Sequence, residues 1–289
     1  MFDWLVEQIS YEEVLRGRDL EQRFTFDGEP FALKTQQGIR KPAMLDCALT
    51  ITTTYTPVGQ RPPYDDAVGA DGLARYKWQG TDPHRFDNVG LREAMRKRKP
   101  LVWFIGVAPG LYVARWPVYL IAEEPARHQF VVALDAEQYG VATSDLPTPA
   151  KREYALRITK ARLHQPVFRE QVLLAYEGRC SLCLLKHTEL LDAAHIKEDS
   201  RGGEPIVPNG LAMCKIHHAA FDAGIFGINP DGIRVDVRLD VLEEVDGPML
   251  RHGLQEMHDR QLLLPRRSAH HPDRDLLSER YAAFRSRAA

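Results

Sequence analysis

The sequence predicts an α+β fold in two domains, a mainly antiparallel barrel-type sheet followed by a small zinc-stabilised domain of two strands and one helix. Three observations predict it. Short β-rich segments separated by glycine, proline and acidic turns recur as far as residue 134, without the strand–helix alternation of a parallel sheet. Two metal-type knuckles, Cys180-x2-Cys183 and Cys214-x2-His217, enclose short apolar runs and turn signals. The 289 residues suffice for two domains that each bury a core. The expected division is a first domain over 1–145, a basic linker helix over 146–166 and a second domain over 167–289.

In chain order, residues 3–16 carry Trp4, Leu5, Ile9 and Leu15 among acids, which predicts an amphipathic helix ending near Gly17. Phe24-Thr25-Phe26, Phe31-Ala32-Leu33 and the threonine-rich run Ala48 to Tyr55 predict short strands. Asp87-Asn88 before Val89 to Met95 predicts a helix with Asn88 as its cap, ended by Pro100. Strands are then expected over Leu101–Ile105, Tyr112–Ala114, Val118–Ala122 and Gln129–Leu134, completing the sheet. Lys151–Leu163 reads as the linker helix, and Val167–Tyr176 as a short helix before the first knuckle. Beyond Gly224, Asn229-Pro-Asp-Gly232 between two apolar runs signals a hairpin, and Asp275–Arg287 a last helix.

Composition narrows the classes. Net charge is −2, so basic character is local, in Arg92 to Lys99 and Lys151 to Arg169, clusters that suit phosphate or simply a solvated helix face. Four cysteines, three of them in the knuckles, leave Cys47 alone and exclude a disulfide framework. The opening residues lack a basic region followed by an apolar core, and Leu101 to Val113 is too short to span a bilayer. A soluble cytoplasmic protein without membrane association is the expectation.

The stretch from Cys180 to Asp222 carries the chemistry. Cys180, Cys183, Cys214 and His217 supply three thiolates and an imidazole, the ligand set of a closed tetrahedral Zn2+ site. Zinc has no use for His195, Asn209 or His218. Leu190 to Ile196 reads as a strand ending at His195, Asn209-Gly210 as a tight turn, Leu211 to Met213 as a second strand, and Lys215 to Ala223 as a helix stopped at Gly224. On that helix His218 and Asp222 stand four apart, one turn from each other, where they can hold one divalent cation and leave positions open for phosphate and water. His195 is then placed to take a proton from the attacking water. As a bland reading, Asn-Gly is a common turn and a lone histidine is usually a structural one.

The order histidine, asparagine, histidine inside a pair of zinc knuckles resembles the HNH nuclease motif of the ββα-metal fold, over about Val167 to Gly232. The resemblance implies hydrolysis of DNA phosphodiesters with Mg2+, Mn2+ or another divalent ion. It also implies that Asn209 fixes the loop and orients His195. Many members have a metal-ligating aspartate or histidine just before the base, where this chain has Ala194; the resemblance to an A-A-H-I subgroup makes Asp222 the ligand instead.

A second informative stretch is Arg61 to Pro83, polar and glycine-rich yet carrying Tyr64, Tyr76 and Trp78. Such rings suit a pocket that sandwiches a flipped base, with Asp65 or Asp66 accepting from the cytosine amine; plugging a barrel end is the alternative. The pattern resembles the flipped-base pocket of SRA domains, modified-cytosine readers of the PUA-like barrel class. Together with Gly38-Ile-Arg-Lys-Pro42 and Arg75-Tyr-Lys-Trp-Gln-Gly80, it is similar to a bacterial group of predicted restriction endonucleases that pair an SRA-like reader with HNH. Arg40 and Lys41 would contact the backbone of double-stranded DNA or be solvated. The reading that follows is a modification-dependent, type IV-like restriction endonuclease, expected to be a homodimer because an HNH site touches one strand at a time. The alternatives are an HNH endonuclease reading unmodified sequence and a non-catalytic zinc-stabilised DNA-binding protein.

Overall fold

The structure is a computed structural model that describes residues 1–10, 13–57, 60, 68–144 and 148–288. The chain divides into two compact units, Met1–Val167 and Phe168–Ala289. No helix among the described residues is long and apolar enough to cross a membrane.

The first unit is built on a seven-stranded half-barrel sheet. Its path runs Ile39–Arg40, Thr50–Thr53, Leu101–Ala108, Leu111–Glu124, Gln129–Ala133 and Ala74–Lys77, with Leu15–Arg16 added beside Leu111–Glu124. Only Thr50–Thr53 and Leu101–Ala108 run parallel; the other pairings are antiparallel. Leu101–Ala108 explains its unbroken apolar sequence: Leu101, Trp103 and Ile105 enter one core and Val102 and Phe104 another, so both faces are buried. Strand Leu111–Glu124 pairs with Leu101–Ala108 along its first part and with Gln129–Ala133 along its second, with two register shifts in the first ladder and one in the second. Shifts of this kind increase local twist and let a sheet curl.

Four local expectations are corrected. The first helix covers only Phe2–Ile9, because Leu15 and Arg16 pair with Tyr112 and Leu111 and leave the helical pattern for the sheet edge. The segments Tyr112–Ala114 and Val118–Ala122 belong to one strand. Asn88 does not cap its helix, which begins at Phe86; it is buried, accepts from Gln79 N (2.9 Å), and donates to Gln79 O (3.2 Å) and Asp82 O (2.8 Å), so it ties down the preceding loop. The basic helix Thr148–Thr159 is packed within the first unit, where Ala155 and Thr159 are buried and the Thr159 hydroxyl donates to Gly72 O at 2.8 Å. Its small buried residues let it lie against the sheet, a role that its charge pattern obscures.

In the second unit, strands Leu191–His195 and Gly210–Cys214 pair antiparallel, from Leu191 opposite Cys214 to His195 opposite Gly210. Helix Lys215–Asp222 follows directly, and the hairpin Phe226–Asn229 with Arg234–Val237 comes next. One core joins Phe168 and Val172 of helix Gln165–Ala175 to Leu211, Met213, Phe221 and Phe226. Gly210 is demanded by this packing: a Cβ there would sit 2.4 Å from Val172 Cγ2 and 2.8 Å from Phe168 Cζ. Gly210→Ala is therefore expected to destabilise the second unit by about 1–3 kcal/mol, the usual penalty of overpacking. Urea unfolding followed by a probe in that unit checks this, and an unchanged midpoint would contradict it.

Candidate active site

Two knuckles and one hairpin create a metal-type cluster. Among the described residues, Cys180, Cys183, Cys214 and His217 alone bring three or more ligand-type atoms within 4.8 Å of one another. Nδ1 of His217 lies 3.4 Å from Cys180 Sγ and 3.2 Å from Cys214 Sγ. Tetrahedral zinc, with Zn–S near 2.3 Å and Zn–N near 2.0 Å, sets ligand sulfur and nitrogen about 3.5 Å apart. The residues therefore fit the ion. The outer ring nitrogen of His217, Nε2, lies 2.8 Å from Gly253 O, so it donates there and Nδ1 is left as the ligand atom. Burial alone would lower His217, but the thiols of Cys180 and Cys183 outweigh it and push it up to about 10. Hydrogen bonds from Cys183 and Cys214 pull the Cys180 thiol down while both donors are pushed up, so negative charge settles on Cys180, opposite the His217 proton that a dication would replace.

The hairpin and helix that carry these ligands also set out the remaining polar groups. His195 ends its strand with its ring stacked on Phe168, centroids 4.2 Å apart and planes at 22°. His218 Nε2 faces Asp222 Oδ2 at 3.2 Å along the helix, and its Nδ1 stands 3.8 Å from Asp192 Oδ2. Asn209 is fully buried; its Oδ1 accepts from Lys197 N (2.8 Å), while Nδ2 donates to Lys197 O (3.0 Å) and Glu204 O (2.8 Å). It therefore grips the loop between the strands, and its amide bonds fall on main chain next to His195. Ile196 N donates to Asn209 O at 2.9 Å, which closes the same loop.

Residues 180–229 match the family model described as HNH endonuclease. The second unit carries an HNH endonuclease domain. The chain is thus an endonuclease by that domain, and His195, Asn209 and His218 lie within the matched residues. No curated protein matches the chain. Among solved structures, a modification-dependent TagI restriction endonuclease is similar at 18% identity and a TM-score of 0.31, covering 86% of this chain and 85% of that one. A type IV phosphorothioation-dependent restriction endonuclease, ScoMcrA, is similar at 12% identity and a TM-score of 0.25, covering 85% of this chain and 60% of the other.

Charge in the candidate site is arranged in opposite senses on His195 and His218. Burial holds His195 below the usual histidine range, and the neighbouring charge of His218 adds to this while Asp199 and Asp222 oppose it. The hydrogen bond to Asp222 raises His218 against its own burial, and the same bond holds Asp222 below the usual carboxylate range. An unprotonated His195 is the form that can accept a proton.

Three neighbours of the HNH site gave no sequence signal. Phe168 backs His195 from the helix before the first knuckle. Asp192 flanks His218 and stands 3.6 Å from Arg169 Nε. Arg280, from helix Arg274–Ala288, donates to Asp222 Oδ1 at 2.9 Å. All three act across the fold, so no motif spacing reports them.

The first unit treats its expected site residues differently. Tyr64, Asp65 and Asp66 lie outside the described residues. Tyr76 and Trp78 are buried: Tyr76 meets Trp103 edge to face at 5.8 Å and donates to Gly38 O at 3.0 Å, and Trp78 packs on His128 and Phe130. Both nevertheless line a cavity of about 130 Å³ together with Gln36, Gln37, Thr53 and Gln79. Arg40 Nε donates to Ala32 O (3.0 Å) with its guanidinium over the Phe31 ring, and Lys41 Nζ donates to Leu45 O (2.9 Å).

The opposed histidine shifts predict a two-part pH response. Were His218 to ligate a cation, its proton would compete, so the half-saturating cation concentration should climb as pH falls, beginning above 6.5, by up to about tenfold per pH unit. At saturating cation the rate should persist to below pH 6.5, because His195 stays unprotonated there. Nicking rates over a grid of pH and cation concentration check both, and a single limb above pH 6.5 at saturating cation would contradict the assignment.

Proposed function

We propose that this chain is a modification-dependent DNA endonuclease of restriction type, with a reader in the first unit and a one-cation HNH centre in the second. One observation carries the catalytic part: the strand that ends at His195 and the helix bearing His218 and Asp222 are joined at a cluster fit for zinc. His218 and Asp222 would hold Mg2+, Mn2+ or a similar ion, whose chemistry is to offset charge on the scissile phosphate and the leaving oxygen. His195 accepts the proton of the attacking water, and its burial against Phe168 keeps it in the accepting form. Asn209 holds the loop that fixes where His195 can point. Structural Zn2+ on Cys180, Cys183, Cys214 and His217 keeps strand and helix in register.

For the reader, the half-barrel cavity bounded by Tyr76, Trp78 and three glutamines supports an SRA-like pocket for a flipped cytosine, 5-methyl or 5-hydroxymethyl. Its amides and the Thr53 hydroxyl offer the donors and acceptors that such a base requires. Trp78 Nε1 is buried without a partner among the described residues, a cost that a bound group can relieve. Arg40 and Lys41 retain N–H donors beyond those used internally and would meet DNA phosphates. Cutting both strands calls for a homodimer or two successive nicks, and restriction of incoming DNA goes with a cytoplasmic site of action.

The burial of Tyr76 and Trp78 favours a second reading, in which the first unit reads unmodified sequence. Cleavage of matched plain, 5-methylcytosine and 5-hydroxymethylcytosine plasmids in Mg2+ and in Mn2+ separates the two. The proposal expects cutting of modified plasmid only, and equal cutting of all three overturns the reader. His195→Ala should lower cutting by about 100-fold or more, the scale of general-base removal, while zinc content and DNA binding persist. Undiminished cutting by that variant would remove His195 from the chemistry.

A further inference from the structure

The side chain of Arg280 makes a set of contacts that a surface ion pair does not explain. It reaches the HNH site from 58 residues beyond Asp222. Nη2 donates to Asp222 Oδ1 (2.9 Å) and to Phe221 O (3.1 Å), and Nη1 donates to the carbonyls of His195 and Ile196, both at 3.3 Å. The guanidinium carbon lies 3.9 Å from the centroid of the Phe221 ring, and the side chain is only 17% exposed. Each partner belongs either to the end of the strand that carries His195 or to the end of the helix that carries Asp222.

Backbone pairing leaves part of this set loose: the strand pairing stops at His195 opposite Gly210, while Phe221 O already accepts from Gly224 N at 3.2 Å and takes the guanidinium as a second donor. A planar guanidinium with donors in a fixed fork can satisfy both ends at once, whereas an ammonium has no such fork. By taking Asp222 Oδ1 it also turns Oδ2 towards His218 Nε2, 3.2 Å away. Phe221 beneath the plane limits the guanidinium to that orientation.

We infer that Arg280 is a positioning residue of the nuclease centre, fixing the Asp222 carboxylate and the His195 backbone at one separation so that cation ligand and proton acceptor address the same phosphate. The inference rests on the roles proposed above for His195 and Asp222. It makes cleavage depend on helix Arg274–Ala288, which contributes no residue to the motif. Loss of the fork lets the two ends drift, and a misplacement of about 1 Å costs on the order of 100-fold in rate.

The test uses the full chain with Arg280→Ala and Arg280→Lys, cleaving its preferred plasmid at saturating Mg2+ or Mn2+, with zinc content and thermal melting measured in parallel. The expected result is a kcat lower by about 10- to 100-fold in both variants with KM for DNA little changed. Millimolar guanidinium should restore part of the rate to Arg280→Ala and none to His195→Ala. A kcat equal to that of wild type, or a rise in KM alone, which marks a phosphate contact, overturns the inference. If Arg280→Ala loses its zinc, Arg280→Lys decides by the same two criteria. If wild type shows no cation-dependent nicking, the nuclease roles themselves fall and the assignment to Arg280 falls with them.

Discussion

The second unit depends on one constraint, the convergence of Cys180, Cys183, Cys214 and His217 within ligand distance. Cys214 is the last residue of one strand and the residue before helix Lys215–Asp222, so the cluster grips the joint between them. The pairing of Leu191 with Cys214 then carries that constraint along the hairpin to His195. A metal bound at the cluster would add its binding free energy to the stability of the core that already packs there. His218 and Asp222 follow the cluster directly on its helix, and His195 is tied to it through the hairpin.

Much of this was legible from residue order, for a physical reason. Zinc ligands and helix partners obey short spacings, so Cys-x2-Cys, Cys-x2-His and the four-residue step from His218 to Asp222 each specify a local geometry. The strand end at His195 followed from a short apolar run bounded by turns, while the second strand, expected over Leu211 to Met213, runs one residue further at each end. Arg280 and Asp192 were invisible for the complementary reason. They reach His218 and Asp222 through tertiary packing, and nothing in their own neighbourhood in sequence marks them. Asn88 and Leu15 show the same effect in the first unit, where a cap signal and a helical period gave way to loop and sheet contacts.

The two units differ in how far their chemistry can be read. An aromatic-rich polar loop suggests exposed rings, yet Tyr76 and Trp78 are core residues that show only part of their surface to a cavity. Burial on the interior of a curled sheet depends on closure between distant strands: Tyr76 donates to carbonyls of Gly38 and Thr52 across the half-barrel. Sequence spacing holds no record of that closure. The HNH site, by contrast, is nearly continuous in the chain from Cys180 to Asp222.

Metal removal tests the central claim most directly. Hydrogen exchange of the full chain, loaded with Zn2+ and then treated with a chelator, would follow the amides of Leu191–His195, Gly210–Cys214 and Lys215–Asp222. The account predicts that these lose protection together on stripping, that the half-barrel strands keep theirs, and that added Mg2+ alone does not restore cleavage. Stripped protein that keeps the protection of all three elements and still cuts DNA with Mg2+ would contradict it.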